Sequence, residues 1–180
     1  MARVLLKLGN IAGPVNASGD VAVAGGQPQG FSLDGVFNVD YGLMNVASSV
    51  SDAFKAGGAR EVGAPQSDLV QVSMQGTVKD PDIFKATVAR TLMTRACLIT
   101  VANATGGVAT EWVRAYQLFK NVTLASYRTV TEGGNIYHDL SFVFDAEFHA
   151  FFATPSGGNL GQRTSAGWDY VQAKEWNGSV

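Results

Sequence analysis

Asp145, Glu147 and His149 stand two residues apart in NIYHDLSFVFDAEFHAFFA, residues 135–153, a stretch that also holds His138, the other histidine of the chain. Carboxylates and imidazoles are common ligands of divalent ions, and the same groups serve general acid–base chemistry. Spacing decides whether they can act together. The even positions Ile136, His138, Leu140, Phe142, Phe144, Ala146, Phe148, Ala150 and Phe152 are apolar except for the histidine, and the odd positions are mostly polar. That alternation marks a strand with one face in a core and the other in water. Same-face neighbours on a strand lie about 6.6 Å apart, so Asp145 and His149 are about 13 Å apart at the backbone. Ligands must close to about 2 Å from a single ion. Three in a line do not converge, and His138 lies on the opposite face. The segment therefore predicts a solvated, charged strand face. No metal site, cofactor or catalytic residue is assigned to it. Fully extended it would reach roughly 60 Å, so a bend or bulge is expected near Asp145–Ala146.

The elements that must position this segment are mostly strands. RVLLKLG (3–9), FSLDGVFNVDYGLM (31–44), DLVQVSMQGTV (68–78), ACLITVANA (96–104), EWVRAYQLF (111–119), NVTLASYRTV (121–130) and GWDYVQAKEW (167–176) read as strands. Gly-rich turns fall at 105–107 and 131–134, and longer loops at 10–30 and 154–167. Residues 45–66 are small and polar. Val46, Val50 and Phe54 in this stretch suit a short helical turn, and otherwise it is a long surface loop. One helix is expected at 80–93, with Asp80 as N-cap, Pro81 at the first helical position and an inward stripe of Phe84, Val88 and Leu92. About eight strands and one helix predict an antiparallel β-barrel with one flanking α-helix and a long extended loop, in a single domain spanning 1–180.

Composition narrows the function classes. Of the 180 residues 46% are apolar and only 16% charged, the net charge is −2, and the thirteen Lys and Arg are scattered. No basic stripe marks a nucleic-acid partner. No apolar run approaches the length of a membrane span, and the opening MARVLLKLGN has no signal-peptide pattern. The expectation is a soluble protein made in the cytoplasm. Cys97, the only cysteine, lies inside the apolar run ACLITVA and reads as a buried thiol. No phosphate-binding loop, dinucleotide fingerprint, nucleophile elbow or HExxH motif is present. The chain reads as a structural or binding protein and not as an enzyme.

The order of elements resembles a known family. LLKLGNIAG is followed by a Gly-rich loop and a second strand. DLVQVSMQGTVKDPDIFKATVARTLM then gives strand and helix, ACLITV a strand, WVRAYQLFKNVTLASYRTVTEGGNIYHDLSFVFDAEFHAFF paired strands with a return, and SAGWDYVQAKEW the close. This pattern is similar to the haemolysin-coregulated proteins, the tube component of bacterial type VI secretion systems. The resemblance covers nearly the whole chain and is strongest over 67–153 and at GWD, 167–169. Residues 42–66 depart from it in being longer and richer in Ala and Ser.

The resemblance implies a β-barrel that assembles into six-membered rings stacked as a hollow tube. The tube is exported without a signal peptide and carries effector proteins in its lumen, and its partners are itself, a contractile sheath, a spike protein and the effectors. Asp145, Glu147 and His149 would then be lumen-facing, and residues 42–66 an arm reaching a neighbouring protomer or ring. Two other readings are a phage-type tail tube protein and a small metal-dependent β-barrel hydrolase using His138, Asp139 or His149.

Overall fold

Alternating apolar residues in RVLLKL place Leu6 and Leu8 on one side of a strand and Leu5 on the other, and all three are buried. A strand buried on both faces has to lie between two cores, and the rest of the fold supplies them. The computed structural model describes residues 3–18, 21–22, 32–43, 46–50, 62–67, 69–103, 111–153 and 162–179. Among them are β1 (Arg3–Leu8), β2 (Val15–Asn16), β3 (Val21–Ala22), β4 (Asp34–Val39), β5 (Tyr41–Leu43), β6 (Val46–Val50), β7 (Val62–Ser67) and β8 (Val70–Gln75). After α1 (Asp80–Val88) come β9 (Leu92–Asn103), β10 (Glu111–Glu132), β11 (Asn135–Val143), β12 (Ala146–Phe152), β13 (Arg163–Asp169) and β14 (Lys174–Glu175). Fourteen strands replace the expected eight because several are only two or three residues long and some expected strands break at corners.

The pairings turn back on themselves. β1 pairs with β4 and β9, β9 with β10, β10 with β11, β11 with β8, and β8 with β5, antiparallel at every step. β5 follows β4 across Asp40, whose N–H donates to the Ser73 carbonyl at 2.8 Å. The strands of this circuit surround an inner core that includes Leu6, Phe37, Val72, Met74, Leu98, Phe119, Leu140 and Phe142. Among the described residues the fold is mainly β and antiparallel with one helix, as expected, although β3 runs parallel to β10. A second, outer core lies across the β1–β9–β10 wall and contains Leu5, Cys97, Ile99, Trp112, Tyr116, Leu118, Phe148, Phe152 and Trp176.

The helix is rotated from the expected phase. It ends at Val88, and Arg90 takes a left-handed φ of 49° before β9 begins at Leu92. Ile83 and Ala86 enter the inner core, whereas Phe84, Val88 and Leu92 are 55%, 69% and 62% exposed. The sequence carries two apolar stripes one residue apart, about 100° round the helix. The slender one fits the space left by the strands, and the bulky one is left outside, where Phe84 meets the edge of Tyr127. The N-cap is Lys79, with no side-chain cap. Asp80 instead accepts the Thr77 N–H at 2.9 Å.

Two loop expectations are also corrected. Val46–Val50 is not a helical turn but a strand paired with Val62–Ser67 in a separate two-stranded hairpin. Residues 51–61, with Phe54, lie outside the described residues. The expected loop at 154–167 gives way to β13 from Arg163 onward, which pairs along the whole of β12. The turn at 131–134 is tight. Glu132 pairs with Asn135, and Gly133 and Gly134 between them have φ of 58° and 84°. Positive φ at both central positions gives the twist a two-residue hairpin loop needs.

Candidate functional site

Residues 135–153 do bend where expected, between Val143 and Ala146. The corner has a clear construction. Asp145 N–H donates to the Lys120 carbonyl at 2.9 Å, and the Asp145 carboxylate accepts the Asn121 amide at 2.8 Å. Asn121 has φ of 53°, a left-handed conformation that asparagine adopts more readily than most residues. Both strands therefore turn together, and β10 runs on through Asn121 as one strand where two were expected.

The corner divides the apolar face. Leu140 and Phe142 in β11 fill the inner core, whereas Phe148, Ala150 and Phe152 in β12 fill the outer one. The odd positions are divided in the same way, so Asp145, Glu147 and His149 do not continue the polar face of β11. Glu147 is paired with Phe119, an inner-core residue, and is only 5% exposed. The expectation of a solvated face is corrected here: Tyr170 covers the carboxylate and donates its hydroxyl to Glu147 Oε1. Burial first, and then this hydrogen bond to a carboxylate, push the Tyr170 pKa well up. His149 Nε2 lies 3.3 Å from Glu147 Oε2 but leaves that oxygen without a hydrogen bond. The structure thus brings Glu147 and His149 together and ties Asp145 separately into the corner.

His138, the odd member of an apolar face, is buried. Its ring stacks on Tyr127 at 5.0 Å, Nδ1 is 3.3 Å from Thr129 Oγ1, and Nε2 is 2.6 Å from Asp80 Oδ2. Asp80 opens α1, so this contact fastens the helix start to β11. The lone polar residue in the even register was the available signal, but its partner is too distant in sequence to be read from spacing.

The GWD segment has a close-packing role. A Cβ on Gly167 would stand 2.4 Å from the Trp176 carbonyl oxygen. Asp169 is buried, accepts the Gln172 N–H at 2.8 Å and lies 3.3 Å from Lys120 Nζ. Burial raises its pKa, but the Gln172 hydrogen bond and the Lys120 ammonium outweigh this and leave it below the ordinary carboxylate value. A cleft of about 970 Å³ opens beside this segment, between β13 and residues 174–179.

The outward face of β8, β10 and β11 is polar. Arg128, Asp139 and Ser73 form one rung across it, and Ser126, Ser141 and Gln71 the next. A shallow depression of about 320 Å³ lies among these residues. Among the described residues no three His, Cys, Asp or Glu side chains gather in a way that could hold an ion, and no helix is long and apolar enough to cross a membrane.

No family model matches the sequence, and no curated protein matches it. Solved structures match it in fold from end to end. A structure described as a type six secretion system protein aligns over 98% of this chain and 100% of its own, with a TM-score of 0.76 and 11% identity. Hcp1 from Salmonella typhimurium aligns over 97% and 99%, with a TM-score of 0.68 and 12% identity. The secreted protein Hcp3 from Pseudomonas aeruginosa aligns over 92% and 97%, with a TM-score of 0.58 and 9% identity. The architecture of two cores on one shared wall, with the helix against the inner core, is therefore the fold of the haemolysin-coregulated proteins, as the order of elements in the sequence led one to expect.

Proposed function

We propose that this chain is a structural subunit of a type VI secretion tube: six copies form a ring, rings stack, and effector proteins travel in the lumen. The observation that carries the reading is the alignment of 98% of this chain with all of a type six secretion system protein. Sheath and spike proteins are the further partners, and the assembled tube is exported. The role is structural and not catalytic. The buried polar groups fit it, since Glu147, His138 and Asp169 are engaged in holding elements together.

A lumen has to be wet and free of strong apolar grip. We assign it to the outward face of β8, β10 and β11, where Gln71, Ser73, Arg128 and Asp139 offer hydrogen bonds and opposite charges. This replaces Asp145, Glu147 and His149 as the proposed lumen wall, because Glu147 is covered within its own protomer. The test is the mass in solution at micromolar concentration, together with negative-stain images. The expected result is six times 18.9 kDa and ring-shaped particles. A mass of one chain with no rings overturns the proposal.

A further inference from the structure

Residues 176–179 form a tight turn against the outer core, and the turn holds the only Asn-Gly pair of the sequence, Asn177–Gly178. Trp176 anchors it. The ring is buried in the outer core and meets Phe148 edge-on, and the backbone N–H donates to the Gly167 carbonyl at 3.1 Å. Trp176 Nε1 donates to the Ser179 carbonyl at 2.7 Å and closes the turn. Gly178 is buried with φ of 78°, and a Cβ there would stand 3.1 Å from the Phe148 ring. Both the backbone conformation and the packing therefore call for glycine. Asn177 beside it is exposed to water.

The side-chain amide of Asn177 is held in a reactive setting. Its Oδ1 accepts two hydrogen bonds, from the Ser179 N–H at 3.0 Å and from the Ser179 hydroxyl. Two donors on one carbonyl oxygen draw electron density from Cγ. They also stabilise the negative charge that the oxygen gains when a nucleophile adds, as an oxyanion hole does. A nucleophile stands one residue on. The Gly178 nitrogen has no side chain beside it to shield it, and its N–H makes no hydrogen bond among the described residues. Two groups fixed in one turn react as an intramolecular pair.

We infer that Asn177 is a site of self-modification, deamidated by the Gly178 nitrogen with Ser179 promoting the step. The Gly178 nitrogen gives its proton to hydroxide from the solvent and bonds to Asn177 Cγ. The Cγ–Nδ2 bond breaks, and the nitrogen leaves with a proton from water as ammonia. A cyclic imide remains, and water opens it at either carbonyl to leave aspartate or isoaspartate at 177. One water is consumed and one ammonia released. Isoaspartate adds a carbon to the backbone, so the turn can no longer keep both the Trp176–Ser179 bond and the seat of Gly178 on Phe148. The test incubates the natural chain folded, the same chain unfolded in guanidinium chloride, and Ser179→Ala in both states, at one pH and temperature. Peptides spanning 177 are followed by mass and by chromatographic separation of isoaspartate. The folded natural chain should react faster than the unfolded one. Ser179→Ala should slow the folded chain about fivefold, the effect of one ordinary hydrogen bond, and leave the unfolded rate unchanged. A folded chain that reacts no faster than the unfolded one, or a folded Ser179→Ala that keeps the natural rate, overturns the inference. If Ser179→Ala fails to fold, the folded and unfolded natural chains still decide.

Discussion

Replacing Ile83 by alanine removes a side chain with no exposure from the inner core and should cost about 2–5 kcal/mol in chemical denaturation. Phe84→Ala, one residue on, should cost only about 0.5–1.5 kcal/mol, because it loses an edge contact with Tyr127 and little burial. Equal losses would mean the helix phase is wrong. The two residues also show what the sequence could not decide. Both lie on apolar stripes, and only the volume left between the strands selects the slimmer one. Asp169 gives a pH signature. Its folded pKa lies below the ordinary 3.8, so its contribution is fully present above that value and is lost as pH falls through the folded one. Asp169→Asn should therefore flatten the acid limb of stability below about pH 4, measured as melting temperature against pH. An unchanged acid limb would show that another carboxylate governs it. Cys97 behaves as its apolar run suggested: it is buried, and burial pushes its thiol pKa well up.

At the scale of elements, the alternation in 135–153 announced strands and a bend, and both are there. Which core each half feeds was hidden, since period two is blind to a corner that carries a strand from one side of a wall to the other. The corner rests on Asn121 and Asp145, which are far apart in sequence and so gave no local signal. GWD could be singled out by resemblance, but its reason is contact: Gly167 leaves room for the Trp176 backbone. Gly167→Ala should lower the melting temperature by several degrees, on the scale of about 1–3 kcal/mol for overpacking. A variant as stable as the natural chain would show that residues 174–179 can move aside.

At the scale of the molecule, β6 and β7 pair, among the described residues, only with each other in a sheet of their own. Deleting residues 46–62 should therefore leave far-UV ellipticity of the remaining strands and their melting point nearly unchanged, while weakening the stacking of rings seen by negative stain. Loss of the fold would show that the hairpin supports the sheet. The long strands β9 and β10 carry a different consequence. They contribute side chains to both cores, so neither core can melt while the other keeps its wall. Trp112 and Trp176 belong to the outer core and no tryptophan belongs to the inner one. With Trp168, which belongs to neither core, replaced by phenylalanine, indole emission reports one core only, whereas ellipticity reports the strands of both. The two denaturation curves should nevertheless superimpose, because a subunit built on a common wall unfolds as a single cooperative unit.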